Sequence, residues 1–195
     1  MLSARGCKPV AGVSLVESLI VVAVSAMVMA AGAPAFGRWV RDLEVRSSAG
    51  ALLAALQAAR TEAVTRNADV RLALGDVQGR TGWVLSCVRV SAQCPATIRR
   101  QPVSIGGRVR WGAASATVMP GFDAVLAAGA GLPGNVGFDA VGAAPSVAAG
   151  TDIARIDVTH ADSTVARRLV VLVSGLGRVR VCDPAVDSGH PEHCH

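Results

Sequence analysis

Ser18-Leu19-Ile20-Val21-Val22-Ala23-Val24-Ser25-Ala26-Met27-Val28-Met29-Ala30-Ala31-Gly32-Ala33-Pro34-Ala35-Phe36 is a run of 19 residues without a charge. As a helix rising about 1.5 Å per residue it spans roughly 28 Å, one hydrocarbon core of a bilayer. Upstream lies MLSARGCKPVAG, with Arg5 and Lys8 and no acid. A basic start, an apolar stretch and the small-residue exit Ala33-Pro34-Ala35 are also the features of a cleaved secretory signal. Two features oppose that reading. Glu17 stands at the mouth of the run, where a carboxylate is costly unless paired. Downstream, the chain keeps a helical pattern: Leu52, Leu56, Ala59 and Ala63 recur at i, i+4, i+7 and i+11, one face of a helix. The spacing predicts a single helix of about fifty residues, lipid-soluble in its first half and amphipathic in its second. Pro34 and Gly37 are expected to kink it.

The segment Gly12-Val13-Ser14-Leu15-Val16-Glu17 followed by an apolar run resembles the class III leader of type IV pilins and pseudopilins. The resemblance implies that prepilin peptidase cuts between Gly12 and Val13 and methylates the new amino terminus. Glu17 is then the fifth residue of the mature chain, and Pro34 falls where pilins commonly bend. The family's usual first residue is Phe, whereas this chain has Val13. An α-amino group freed in an apolar environment is expensive as an isolated charge. Glu17 of one subunit neutralising the Val13 amine of a neighbour would set the axial register between packed helices.

Beyond Asn67-Ala68-Asp69 the pattern changes to short strands between Gly, Pro and Asp. Val70–Leu74 alternates and meets a turn-like Gly75-Asp76; Gly82–Cys87 is a second strand. Ile98–Ile105 and Arg108–Trp111 flank Gly106-Gly107 as an expected hairpin. Ile153–Thr159 and Val165–Val173 flank Ala161-Asp162-Ser163 as another, and Arg178–Cys182 closes the series. Residues 120–150 read as a long Gly/Ala/Pro-rich loop with one strand near Val136–Phe138. The expected fold is α+β, type IV pilin-like: a long N-terminal helix, transmembrane then amphipathic, packed on an antiparallel β-sheet of about six to eight strands. The organisation follows as leader 1–12, membrane and assembly half 13–37, amphipathic half 38–68, β-rich domain 69–182 and tail 183–195.

Trp83-Val84, Asn135-Val136-Gly137-Phe138 with Gly142 downstream, and the ending Ser174-Gly175-Leu176-Gly177-Arg178-Val179-Arg180 are similar to the GspH/FimT minor pilins, nearest to FimT. That resemblance implies a minor pilin or pseudopilin of a filament and, for FimT-type members, non-specific capture of double-stranded DNA for natural transformation. The implied partners are other pilins, prepilin peptidase, the inner membrane and DNA. The globular part would lie in the periplasm before it enters a pilus at the cell surface. The competing implication is a GspH-like structural pseudopilin of type II secretion, binding protein and not DNA.

Strand alternation places Arg178 and Arg180 on one face about 7 Å apart, near the spacing of phosphates along one strand. Arg grips phosphate oxygens through two N–H groups at once. Gly177 precedes the pair, and Arg167 and Arg168 are expected to extend the patch from a neighbouring strand. Bulk charge adds little, because the net +5 comes from 18 Arg and Lys8 in a chain dominated by Ala, Val and Gly. With 3% aromatics and no Tyr, DNA binding is expected to follow the backbone without reading sequence.

Cys7 goes with the leader, leaving Cys87, Cys94, Cys182 and Cys194. Four cysteines in an exported domain imply disulfides, with three pairings open. The pairing expected is Cys87–Cys94, across a short strand-loop segment, with Cys182–Cys194 tying down the tail. A metal site from Cys182, His190, His193, Cys194 and His195 competes, but the spacing is not that of a zinc site. No cofactor and no metal are expected. No P-loop, GxSxG or HExxH occurs, so no enzyme activity is expected. His160 beside a turn reads as a surface residue.

Overall fold

The computed structural model describes residues 14–77, 80–101, 107–162 and 167–195. The leader, Gly12 and Val13 lie outside the described residues, as do Ser163 and Gly106 of the two expected turns.

Helix α1 spans Leu15–Arg66. Ser14 starts it: the Ser14 hydroxyl accepts the Glu17 N–H at 3.2 Å, half of a Ser-x-x-Glu capping box. Asn67 stops it in the left-handed conformation, φ 48°. Asn67 N–H then returns to the Val64 carbonyl and Ala68 N–H to the Ala63 carbonyl, the paired bonds of a Schellman end. Pro34 lies inside α1 without ending it.

Two compact units divide the chain after Trp39. The first is helical, long and apolar enough to cross a membrane, with Leu19, Val22, Met27 and Met29 all exposed. Phe36 and Trp39 approach with ring centroids 5.8 Å apart.

The second unit, Val40–His195, buries one face of α1 through Val45, Ala49, Leu52, Leu56, Ala59 and Ala63. Among the described residues its strands are β1 Val70–Val77, β2 Arg80–Cys87, β3 Arg99–Gln101, β4 Val109–Ser115, β5 Gly134–Phe138, β6 Ile153–His160, β7 Leu169–Val173 and β8 Val179–Cys182. They form two antiparallel sheets, ordered β3-β2-β1-β5 and β4-β6-β7-β8, rather than the one sheet expected. Gly75-Asp76 is not a turn. Gly75 pairs with Gly82 and Asp76 with Thr81, so the ladder absorbs both and runs on to Val77–Arg80. The expected hairpin at Gly106-Gly107 is also replaced. β3 is an exposed edge strand on β2, while β4 carries the buried Trp111 and Ala113 and pairs with β6 in the other sheet. The 120–150 stretch holds β5 as expected and adds a short helix α2, Pro145–Ala148.

Alternation along β6 and β7 gives the second sheet two unlike faces. Ile156, Val158, Val171 and Val173 point into the core shared with α1 and the first sheet. Val170 and Leu172 point outward and pack instead with Cys182, Cys194 and Phe122. Arg155 and Asp157 stand on that same outer face by register, opposite Leu172 and Val170.

Candidate functional site

The outer face of the second sheet is where the sequence-predicted residues meet. β7 leaves the sheet at Ser174, and four residues reverse the chain into β8. Ser174 N–H bonds the Arg178 carbonyl at 2.9 Å, and Gly177 N–H bonds the Ser174 carbonyl at 2.8 Å. The Ser174 hydroxyl accepts the Arg178 N–H at 3.1 Å. Gly177 is required on two counts: its φ is +74°, and a Cβ there would sit 1.9 Å from the Gly142 carbonyl oxygen. The Gly142 carbonyl in turn accepts Arg60 Nε from α1 at 2.9 Å. The Asn135–Gly142 segment and the Gly177 turn, far apart in sequence, are therefore one junction.

From this junction Arg178 emerges exposed, and Arg180 follows half-buried in β8 opposite Leu172. Both border a hollow of about 350 Å³ floored by Met119, Phe122, Val147 and Leu172. Arg180 Nη2 donates to the main-chain oxygen of His195 at 2.5 Å, and His195 lines the same hollow. Among the described residues, no Asp or Glu lines it. Among the described residues neither Arg178 nor Arg180 pairs with an Asp or Glu; Arg178 is exposed, while Arg180 keeps one donor on the His195 oxygen.

Arg167 and Arg168 do not extend this patch, because both are committed within the fold. Arg167 pairs with the buried Asp183, and its N–H donates to Asp42 Oδ1 at 2.9 Å. Arg168 Nη1 donates to Asp157 Oδ2 at 2.8 Å and to the Ala124 carbonyl at 2.9 Å.

Cys87 pairs with Cys94, and Cys182 with Cys194. The second bond folds the tail back, which is what brings His195 to Arg180. With Cys182 and Cys194 joined, their thiolates are not free for a metal. Among the described residues no three His, Cys, Asp or Glu gather as a metal site. His160 is buried rather than on the surface: its Nδ1 accepts the Asp162 N–H at 3.0 Å, and its Nε2 faces Glu44 at 3.1 Å.

The family model described as "Type II transport protein GspH" matches residues 48–177. The chain belongs to the GspH family. That match starts within α1 and ends at Gly177, so it takes in both sheets except β8 and stops just before the arginine pair. Among solved structures, this GspH-family chain is similar to the type IV minor pilin FimU of Pseudomonas aeruginosa PAO1. One crystal form gives 19% identity over 80% of this chain and 99% of that chain, with a TM-score of 0.48. A second gives 20% identity over 77% and 99%, with a TM-score of 0.45. No curated protein sequence matches.

Proposed function

We propose that this chain is a minor pilin of a type IV pilus that binds double-stranded DNA without sequence preference, for uptake in natural transformation. Arg178 and Arg180 hold backbone phosphates, and Gly177 fixes the turn that presents them. The observation that supports this reading is the placement of Arg178 and Arg180 on one rim, neither of them paired with an Asp or Glu among the described residues. Prepilin peptidase would remove residues 1–12, and the apolar half of α1 would hold the chain in the inner membrane, globular part outward, until it joins other pilins. A site of two arginines neutralises few phosphates, so one subunit binds weakly, on the order of micromolar at physiological salt. Several copies in a filament raise this through avidity.

The test is a gel-shift titration of the detergent-solubilised chain on duplex DNA at two salt concentrations. Arg178→Gln/Arg180→Gln should weaken binding and flatten its salt dependence with an unchanged melting temperature. Equal binding by both proteins, or none by either at low salt, favours a second reading that the family's description supports: a structural pseudopilin of type II secretion that binds no DNA.

A further inference from the structure

Beneath the two arginines lies a concavity that a phosphate backbone alone would leave empty. Its volume of about 350 Å³ is within the range of small-molecule clefts, roughly 300–1,000 Å³. Its floor is apolar and includes the Phe122 ring, with His195 also on its lining. Two layers laid over the outer face of the second sheet leave this space. On one side Arg155 and Arg168 hold the 120–126 loop by its carbonyls. On the other, the Cys182–Cys194 bond holds the tail. Phe122 is fixed from behind, with the Arg155 guanidinium carbon 5.2 Å from its ring centroid. Two other hollows in the second unit each carry a carboxylate: Glu44 in one, Asp183 and Glu192 in the other. The hollow at Arg178 and Arg180 sets two cations over a mostly apolar lining with no Asp or Glu among the described residues, which suits an anion that carries a flat apolar group.

We infer that this hollow accepts an unpaired nucleobase, so that the site binds single-stranded DNA, or the frayed end of a duplex, more tightly than paired DNA. This rests on the DNA-binding reading above and adds a second element to it. A phosphate on Arg178 or Arg180 places the attached nucleotide beside the hollow, and the base enters against Phe122 while the sugar stays at the rim. Stacking on an aromatic ring tolerates any base, so no sequence preference arises. In an intact duplex the bases are paired and stacked, and a base reaches the hollow only after paying for unpairing.

The experiment compares a labelled oligothymidylate with a duplex of equal length, using the full chain in detergent. The wild type should bind the single strand roughly tenfold tighter than the duplex. Ala116→Trp, at an exposed position on the hollow's wall, plugs the space without touching either arginine. It should abolish that advantage and leave duplex binding unchanged. Phe122→Leu keeps an apolar wall and removes the ring, and should erase most of the advantage; it also serves if the plugged variant fails to fold. Arg178→Gln/Arg180→Gln should weaken binding to both probes. A single strand bound no tighter than the duplex overturns the base-pocket inference, as does a folded Ala116→Trp chain that keeps the advantage. In either case an arginine variant that weakens duplex binding leaves the backbone reading standing. If the wild type binds neither probe at low salt, both readings fall.

Discussion

Arg155 Nε donates to Asp157 Oδ1 at 2.7 Å, and neither side chain reaches solvent. The other four N–H groups of Arg155 are also used: Nη1 bonds the Pro120 and Gly121 carbonyls, and Nη2 bonds Ala124 carbonyl and Asp157 Oδ2. Asp157 Oδ2 additionally accepts Arg168 Nη1 and the Leu126 N–H. All five donors of one guanidinium are thereby satisfied in the interior, where an unpaired charge is prohibitive. The pair fastens the 120–126 loop to the sheet and so sets one wall of the hollow under Arg178 and Arg180.

Removing Asp157 leaves Arg155 buried with no countercharge. Asp157→Ala is expected to cost about 3–5 kcal/mol. Urea unfolding of the detergent-solubilised chain checks this. A double change to Arg155→Met/Asp157→Leu should be milder than the single one, because the fully buried charge goes and only the part-buried Arg168 is left without its acid. Equal losses in the two would mean that the hydrogen bonds to the loop, and not the charge balance, carry the stability.

The helix was legible because its signals are local. Leu52, Leu56, Ala59 and Ala63 repeat at helical spacing, and all four are buried. The strands were legible wherever alternation marked them, and the Cys87–Cys94 and Cys182–Cys194 bonds close the short loops between near neighbours in sequence. What failed was non-local. Gly75-Asp76 looks like a turn until Gly82 and Thr81 stand opposite, and nothing near Gly106-Gly107 says that β3 and β4 leave for different sheets. In the site, Arg178 and Arg180 could be read from a two-residue alternation. Arg167 and Arg168 could not be told from them, because their acids, Asp183 and Asp157, come from other strands and turns. Arg155-x-Asp157 did carry a usable signal, two opposite charges on one face of an otherwise apolar strand.

The tail bond governs Arg180 as well as stability. Closing a loop of 12 residues contributes roughly 2–3 kcal/mol in the chain-entropy account. Cys182→Ser/Cys194→Ser should lower the melting temperature accordingly. It should also release His195 from Arg180, which makes the arginine more accessible to a guanidine-directed reagent such as phenylglyoxal. Peptide mapping of the modified chain reads that directly, and unchanged Arg180 labelling would show that the tail stays in place without the bond.

For the leader, intact-mass measurement of the exported chain should show loss of residues 1–12, and cleavage after Ala35 would overturn the pilin-type processing. Glu17 has a local role in the structure, since its N–H caps on Ser14. The filament role that the pilin resemblance implies would depend instead on its carboxylate. Glu17→Gln keeps the backbone bond and most of the side-chain shape, so helix formation and cleavage should persist. Incorporation into filaments should drop sharply when the Val13 amine loses its countercharge. Normal incorporation, followed by immunoblot of sheared filaments, would make the carboxylate incidental.

Gly177 separates positioning from contact. A Cβ at this position would collide with the Gly142 carbonyl oxygen at 1.9 Å, and the backbone there has φ +74°. Because the obstacle is main chain already bonded to Arg60, no side-chain rotation relieves it. Gly177→Ala should therefore cost at least about 1–3 kcal/mol and push the Ser174–Gly177 turn away from the Asn135–Gly142 segment. Arg178 is the next residue, so DNA affinity should fall although both arginines remain. Arg178→Gln/Arg180→Gln should weaken binding too, but with a native melting temperature. A Gly177→Ala chain with full stability and full affinity would show that the turn relaxes at no cost and that Gly177 positions nothing.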